Sequence, residues 1–399
     1  MIEAVDTRAR GLRPVRKETV EVASLVRRLD WLLLGAVAAL VGYGLWAIAG
    51  ITRHDIPGDS SYYVVRQGVY AAAGSLGLVA LVLVDPDYYR RYKRLIYGGT
   101  VSVMLLVLLA GTVSRHSKRW LDLGFFRFQP SEFGKLLFVL FLAGFLADRA
   151  RRLGDPRTVL EAIAFAAGPI LLVFVQPDVG TAMVYAVALA AVLFVAGTRW
   201  THLAALGAGV VALAVVVLWL LPSAGVDVLK PYQRERLTHF THPDQDPAGA
   251  TYNVTQSINA VGAGGVDGRG VAGATQTNLN FLPEHATDFA FASLAEERGF
   301  IGVSALLLLY LLVVWRGLKI VAVARDAFSA IAAGGIVVAF LFQIFVNVGM
   351  SIGIAPVTGI PLPFVSVGGS AMIANLLAIG VLEAIHVRGA GVRRRRLAA

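Results

Sequence analysis

The chain has 399 residues, of which 57% are hydrophobic and only 16% are charged, and its mean hydropathy is +0.68. Soluble domains carry about 25% charged residues, and the apolar residues here occur in runs too long for a water-soluble core. A soluble enzyme, a disordered chain and a secreted disulfide scaffold are therefore excluded, and a polytopic membrane protein is predicted. Because the chain contains no cysteine, disulfides and thiolate chemistry have no part in its function.

Ten apolar segments are long enough to cross a bilayer, which requires roughly 20 mostly apolar residues per helix. They lie at about 30–50, 67–84, 96–113, 132–147, 158–175, 181–197, 201–222, 299–315, 328–350 and 364–386. The boundary between the fifth and sixth is the weakest, since only the sequence from Gln176 to Thr181 interrupts the apolar pattern. The predicted fold is an all-α polytopic membrane protein of ten transmembrane helices, and the first span is expected to be retained and not cleaved as a signal peptide.

Lysine and arginine are unevenly divided between the two sides of the membrane. Of the 36 basic residues, 24 lie on the side of the N-terminus, eleven lie on the other side, and Lys135 lies within a span. Since cytoplasmic loops carry the basic excess, both termini are predicted to be cytoplasmic, with basic tails at 1–29 and 389–399 around a membrane domain at 30–388. The net charge of +10 then reflects topology and contact with anionic membrane lipids, and not nucleic-acid binding.

The segment 223–298, between the seventh and eighth spans, is the longest outer loop. Connections of this length are usually functional or disordered, and Tyr252, Phe281 and Phe289 indicate ordered pieces on the membrane face. The glycines between 262 and 273 superficially resemble a dinucleotide-binding loop, but that motif requires a flanking strand and helix of a βαβ unit. We interpret them as flexible or closely approaching backbone, and we expect the function of the chain to face outward.

Charged residues in or beside the predicted spans are concentrated in the outer half. Glu132 and Lys135 are three residues apart, on one face of the fourth span, where a buried charge needs a partner or a cavity. Asp178 lies in the break between the fifth and sixth spans. Glu284 and Asp288 lie in the long loop, where either carboxylate could act as general base, metal ligand or proton relay. Four basic residues crowd the loop before the fourth span, which indicates an anionic ligand: Arg115, Lys118, Arg119 and Arg127.

Proline and glycine interrupt the entry to the last span, at Pro356, Gly359, Pro361 and Pro363. Irregular backbone at membrane depth is tolerated only where it lines protein or a watery cavity. These residues together predict an outward-facing polar cavity with basic and acidic groups. Such a cavity suits either a transporter or an enzyme that acts on a membrane-embedded anionic substrate.

Five blocks of the sequence form a recognisable set. The first begins at Arg119 and reads RWLDLG, followed by RFQPSE and a lysine; the second begins at Gln176 and reads QPDVGT; the third begins at Tyr232 and reads YQRER, followed by DP; the fourth begins at Phe281 and reads FLPEHATDF; the fifth begins at Gly359 and reads GIPLPFVS, followed by GGS. Together they resemble the SEDS family (shape, elongation, division and sporulation) of cell-wall polymerases. The blocks occur in the family's order, the family also has ten spans, and the resemblance covers about residues 30–388. The sequence GATQ ahead of the fourth block is more similar to the elongation (RodA-type) members than to the division (FtsW-type) members.

One departure from the family pattern concerns a histidine. The family usually has histidine directly before its Thr-Asp pair, whereas the order here is His285, Ala286, Thr287, Asp288. This difference leaves the role of His285 open and does not affect the expected role of Asp288.

The resemblance implies a peptidoglycan glycosyltransferase that polymerises lipid II, a disaccharide–pentapeptide on a polyprenyl diphosphate, at the outer face of the cytoplasmic membrane. It also implies a class B penicillin-binding protein as partner. Inverting transfer to a sugar hydroxyl needs a base for the acceptor and charge stabilisation for the diphosphate. Asp288 is the predicted base. The predicted diphosphate stabilisers are Arg119, Arg127 and Lys135, or a bound divalent cation such as Mg²⁺ or Mn²⁺. The other predicted substrate-binding residues are Trp120, Glu132, Asp178, Arg234, Gln276, Glu284 and Ser366.

Alternatives remain open at this level. A lipid II flippase would need polar groups along the whole membrane depth, and their concentration in the outer half favours the enzyme. A non-catalytic scaffold would leave the costly buried charges of Glu132, Lys135 and Asp178 unexplained. Within the enzyme interpretation, Glu284 offers the same chemistry as Asp288, and Asp288 could instead cap a helix together with Thr287.

Overall fold

A computed structural model describes residues 25–114, 117–122, 124, 126–226, 229 and 252–398. Within these residues, ten helices are long and apolar enough to cross a membrane, which confirms the predicted all-α bundle. In chain order the helices are Trp31–Ile51 (α1), Tyr62–Leu83 (α2), Pro86–Arg91 (α3), Lys93–Ala110 (α4), Pro130–Ala147 (α5), Pro156–Val175 (α6), Val179–Ala196 (α7), Trp200–Ser223 (α8), Tyr252–Gly264 (α9), Gly270–Gly273 (α10), Thr275–Asn278 (α11), Ala290–Val323 (α12), Ala327–Ser351 (α13) and Gly369–Ala398 (α14). The spans are all of these except α3, α9, α10 and α11.

The interior of the bundle is formed mainly by α5, α13 and α14, which are the most buried spans. Their buried faces contribute large apolar side chains such as Phe138, Phe340 and Leu382 to one continuous core. By contrast, the span Trp200–Ser223 buries none of its residues against the rest of the described chain. Polar side chains on α5 and α13 are therefore enclosed by protein, whereas α8 lies at the periphery.

A small antiparallel sheet lies in the outer loop between α4 and α5 and was not predicted. Its strands are Thr112–Ser114 (β1), Ser117–Asp122 (β2) and Arg127–Phe128 (β3), in the order β1-β2-β3. Gly124 turns the chain between β2 and β3 with a φ of 82°, and its N–H donates to Asp122 Oδ1 over 2.8 Å. An aspartate that bonds its own backbone two residues on is a common turn former. This sheet fixes the backbone that carries Arg119, Trp120 and Arg127.

The eighth span begins earlier than its predicted start at 299. The helix Ala290–Val323 contains a non-helical residue, Gly299, with φ 63° and ψ −165°. A Cβ there would lie 2.3 Å from the backbone nitrogen of Gly268, so only glycine fits this close approach. Residues 290–298 therefore form a separate buried helical piece, against which α9 packs closely.

The last span begins at Gly369, later than its predicted start at 364. Phe364 has a φ of 66°, a left-handed conformation that cannot continue an α-helix, and Pro361 and Pro363 lack the N–H that a helix needs. The loop 353–368 is irregular, and the N–H of Val367 donates to the carbonyl of Ala286 over 2.9 Å. This loop therefore connects directly to the segment that carries the predicted base. At the other end, the helical backbone of α14 continues into the predicted basic tail up to residue 398.

Ion pairs join the helix ends on the predicted cytoplasmic side. Asp148, which follows α5, accepts hydrogen bonds from Lys93 and from Arg90, the latter over 2.8 Å. Burial alone would raise the pKa of Asp148, but the hydrogen bonds and charges of Lys93 and Arg90 outweigh it and lower that pKa. The ionised carboxylate therefore connects α3 and α4 to the end of α5.

Candidate active site

An amide of the ninth span holds the backbone beside the predicted base. Asn347 is fully buried on α13, and its Nδ2 donates to the carbonyls of Asp288, over 2.9 Å, and Ile360, over 2.8 Å. Both protons of this amide are thus used. The carboxylate of Asp288 lies against Gly359, where an added Cβ would be 3.3 Å from Asp288 Oδ2. Asp288 is therefore fixed at its main chain by α13, while its partly buried side chain packs on the loop before α14.

Ser366 connects the same loop to the segment 284–289. Its hydroxyl donates to the carbonyl of Thr287 and accepts the N–H of Leu362 over 2.9 Å. Its own carbonyl accepts from Nε2 of Gln67 on α2 over 3.1 Å. In the structure this hydroxyl joins the backbone of Thr287 to that of Leu362. The contact of Ser366 with substrate stays a prediction.

Asp288 and Glu284 differ in their local contacts. Helix α12 begins after Phe289, one position beyond Asp288. Glu284 has a φ of 56°, which is uncommon for residues other than glycine, and its Oε2 accepts a hydrogen bond from the Thr287 hydroxyl over 2.9 Å. Glu284 thus contributes to the turn that presents Asp288, and the choice of Asp288 over Glu284 as the base stays a prediction.

A second part of the site lies where β2 meets the start of α7. Asp178 is 3% exposed, and its Oδ1 caps α7 by accepting the N–H of Thr181 over 3.1 Å. Its Oδ2 lies 3.4 Å from Nη1 of Arg119 and accepts from Nε2 of Gln129 over 3.4 Å. The Arg119 guanidinium also lies over the ring of Trp120, 5.0 Å from the centroid. The predicted residues Arg119, Trp120 and Asp178 therefore come together, and the Arg119 guanidinium is held at the N-terminal end of α7.

The loop 358–360 joins these two parts. A Cβ on Gly180, in the first turn of α7, would lie 2.4 Å from the carbonyl oxygen of Thr358. The next residue, Gly359, packs against the carboxylate of Asp288. Asp178 and Asp288 thus flank one short piece of backbone, so the Arg119 guanidinium beside α7 and the predicted base belong to a single region.

Arg127 lies on the rim of this region. Its side chain is 69% exposed, and its Nε lies 3.8 Å from Oδ2 of Asp122. Ser370, at the start of α14, donates its hydroxyl to the carbonyl of Arg127 over 3.0 Å and accepts the N–H of Gln129 over 2.9 Å. The backbone of Arg127 is therefore anchored to the last span, while its guanidinium faces outward and can reach an anionic substrate.

Glu132 and Lys135 form the pair that their spacing predicts. Lys135 Nζ lies 2.8 Å from Glu132 Oε2 and donates to Oε1 of Gln343 on α13 over 2.8 Å. Glu132 is 2% and Lys135 8% exposed, and both line a cavity of about 30 Å³ together with Asn375 and Phe340. A cavity of this size has room for about one water molecule. The pair thus lies inside the bundle, and the predicted contact of Lys135 with a diphosphate stays a prediction.

Two adjacent carboxylates occupy the buried piece 290–298. Glu296 accepts the N–H groups of Gln276, over 2.8 Å, and Thr277, over 2.9 Å, and thereby fixes the start of α11. Glu297 is 1% exposed, lies against Gly50 of α1, and has no hydrogen-bond partner within the described ranges. The backbone of Gln276 therefore has a structural role, and the contact of its side chain with substrate stays a prediction.

Two further predictions are the substrate-binding role of Arg234 and a bound divalent cation. Arg234 lies outside the described residues, so its substrate-binding role stays a prediction. Within the part of the chain that the structure describes, no three His, Cys, Asp or Glu side chains are placed to hold a metal ion. The predicted divalent cation stays a prediction.

Sequence reasoning missed Asn347 and Gln67, which hold the 284–289 segment and the loop before α14. Both are buried polar residues within apolar spans. That feature was a usable signal, because a polar side chain in a span usually faces the bundle interior and finds a partner there. What the sequence does not contain is the identity of the partner, which lies 59 positions from Asn347 and 299 positions from Gln67.

The chain belongs to the FtsW/RodA/SpoVE family of cell cycle proteins, whose family model matches residues 27–390. It is 37% identical over 360 residues to the peptidoglycan glycosyltransferase MrdB of Escherichia coli (strain K12), covering 90% of this chain and 93% of that protein. One solved chain, from a study of polymerization and crosslinking by a peptidoglycan synthase complex, matches with a TM-score of 0.76 at 30% identity over 90% of this chain and 98% of that one. The rod shape determining protein RodA of Thermus thermophilus matches with a TM-score of 0.65 at 27% identity, over 90% and 96%. These findings confirm the family that the five sequence blocks predict.

Proposed function

We propose that this chain is a peptidoglycan glycosyltransferase that polymerises lipid II for cell elongation and shape. The observation that carries the proposal is the placement of Asp288, a partly buried carboxylate whose backbone is fixed by Asn347 and whose side chain packs on the loop shared with the Arg119–Asp178 pair. A relative 37% identical over most of its length is a peptidoglycan glycosyltransferase, and the RodA fold match adds support for the shape role.

The proposed reaction needs one base and a stabilised leaving group. The Asp288 carboxylate takes the proton of the acceptor sugar hydroxyl as that oxygen forms a bond to the anomeric carbon of the donor. The bond from this carbon to the diphosphate breaks on the opposite face, and the polyprenyl diphosphate leaves with the electron pair, so the configuration inverts. The guanidinium groups of Arg119 and Arg127 bind the negatively charged diphosphate of the donor and continue to offset its charge as it leaves.

We further propose that the site faces outward from the cytoplasmic membrane and that a class B penicillin-binding protein is the partner. The basic excess in the loops on the side of the termini supports this orientation. The similarity to a chain of a peptidoglycan synthase complex supports a partner that crosslinks the glycan strands.

The proposal is tested with the purified chain and fluorescent lipid II, alone and with a candidate class B penicillin-binding protein. We expect glycan polymer in at least the paired reaction. If both reactions lack polymer while labelled lipid II crosses the membrane of vesicles that contain the chain, the flippase alternative replaces the enzyme.

The orientation is tested by thiol labelling of intact cells, since the chain contains no native cysteine. Ser60 is exposed in the loop between α1 and α2, and Arg152 is exposed in the loop between α5 and α6. We expect an impermeant maleimide to label Ser60→Cys in intact cells and Arg152→Cys only after permeabilisation. The reverse pattern would invert the assignment of sides and place Asp288 in the cytoplasm.

The two outer arginines are expected to act on substrate binding. Hydrogen bonds to charged groups contribute about 1.5–3 kcal/mol, so Arg119→Ala and Arg127→Ala should each raise KM for lipid II by roughly tenfold or more. Arg94→Ala removes an exposed arginine from the opposite side and should leave KM unchanged. Equal effects of all three would mean a general electrostatic role. Thermal unfolding is measured in parallel, because Arg119→Ala also removes the cation beside buried Asp178.

A further inference from the structure

We propose that Asp55 and His285 form a clasp that positions Asp288, which makes both of them positioning residues of the transferase. This inference rests on the proposed function. His285 Nε2 lies 3.0 Å from Oδ1 and 3.2 Å from Oδ2 of Asp55, and the two side chains are 11% and 16% exposed. A contact this well shielded from water is stronger than the same contact at an exposed surface.

The clasp connects parts of the chain that are 230 positions apart. Asp55 lies in the loop between α1 and α2, whereas His285 lies three positions before the predicted base. Other described bonds of that loop are local or weaker: Asp59 accepts from Ser61, two residues away, and the contact of His54 with Asn278 is exposed and 3.3 Å long. Asp55 is therefore well placed to hold the first outer loop against the 284–289 segment.

Hydrogen bonds within the turn around His285 couple the position of His285 to that of Asp288. The carbonyl of Glu284 accepts the N–H groups of Thr287, over 3.1 Å, and Phe289, over 3.2 Å. The carbonyl of His285 accepts the Ser293 hydroxyl over 3.2 Å. These bonds make residues 284–289 one compact unit. Since Asn347 holds this unit from the bundle side and Asp55 holds it from the outer side, the clasp completes the support of the base.

Neighbouring positions of the segment face different parts of the molecule. Ala286 is 9% exposed and packs in the main hydrophobic core. Its carbonyl accepts the N–H of Val367 over 2.9 Å. Position 286 thus faces the bundle, whereas position 285 faces Asp55. The contact between His285 and Asp55 therefore holds the side of the segment that lies opposite the hydrophobic core.

The test measures the polymerisation kinetics of three variants, two with substitutions at Asp55 and one with a substitution at Asp59. Misplacing a catalytic group by about 1 Å can cost on the order of 100-fold in rate, so we expect Asp55→Asn to lower kcat by about 10- to 100-fold with KM for lipid II unchanged. Asp55→Glu keeps the carboxylate and should retain most of the wild-type kcat. Asp59→Asn removes the same charge from the same loop without touching His285 and should behave as wild type. Wild-type kcat in Asp55→Asn would overturn the clasp.

Two further measurements separate the clasp from a general structural role and from the proposed function. In the double variant Asp55→Asn/His285→Asn, kcat should equal that of the worse single variant, because the two groups act as one. Hydrogen exchange of purified protein without substrate should accelerate in the peptide 283–289 of Asp55→Asn and stay unchanged in the spans. A uniform acceleration with a lowered Tm, or no acceleration, would refute positioning. If the wild-type chain makes no polymer, the proposed function fails, while hydrogen exchange still decides whether the clasp exists.

Discussion

Asp288→Asn is expected to abolish glycan polymerisation while the chain folds normally. Loss of a general base typically costs about 10²–10⁴ in rate, and asparagine keeps the shape of aspartate but cannot take a proton. The bond from Asn347 reaches the main-chain carbonyl of Asp288 and not its side chain, so the substitution leaves that support in place. The measurements are the initial rate of lipid II polymerisation and the Tm, together with capture of the penicillin-binding partner.

Glu284→Gln is the matched control for this prediction. Glu284 lies in the same turn and accepts a hydrogen bond from the Thr287 hydroxyl, which a glutamine oxygen can still accept. We expect Glu284→Gln to polymerise far faster than Asp288→Asn, because loss of a binding contact costs less in rate than loss of the general base. If well-folded Asp288→Asn polymerises at a near-normal rate and Glu284→Gln does not, the base is Glu284.

The spans were predictable because each depends only on a continuous apolar run, which the sequence displays directly. Their ends were less predictable, because the ends depend on contacts between distant segments. Gly299 interrupts the eighth span, α12, where its backbone closely approaches Gly268, and the local sequence does not indicate this contact. The small outer sheet was missed for a related reason: its strands are two to six residues long, too short for a periodicity to be recognised.

The site shows the same division between local and distant contacts. The pairing of Glu132 with Lys135 follows from helical spacing alone, and the structure confirms it. The pairs Arg119 with Asp178 and Asp55 with His285 join separate loops, so no spacing rule could predict them. For this reason the sequence predicted an outward-facing set of charged residues, and the structure adds which of them neutralise one another.

Removal of either charge of the Glu132–Lys135 pair is expected to destabilise the bundle strongly, and the two single losses together should exceed the loss caused by removing both charges. Breaking a buried ion pair typically costs about 3–5 kcal/mol, because the remaining charge is left uncompensated. Lys135→Met leaves the Glu132 carboxylate, 2% exposed, with no cation and also removes the donor to Gln343. Glu132→Gln leaves the ammonium with Gln343 alone, so we expect Lys135→Met to be the more damaging single variant.

The double variant Glu132→Gln/Lys135→Met decides whether the two residues act as a unit. With both charges gone, neither desolvation penalty remains, so the loss in the free energy of unfolding should be smaller than the sum of the single losses. The matched control is the pair of Arg149 and Glu161, 3.3 Å apart but with side chains 37% and 52% exposed; exposed pairs contribute about 0–1 kcal/mol. Chemical unfolding in detergent measures both cycles, and polymerisation is assayed on the same samples. Strict additivity in the Glu132–Lys135 cycle would show that the two charges are independent.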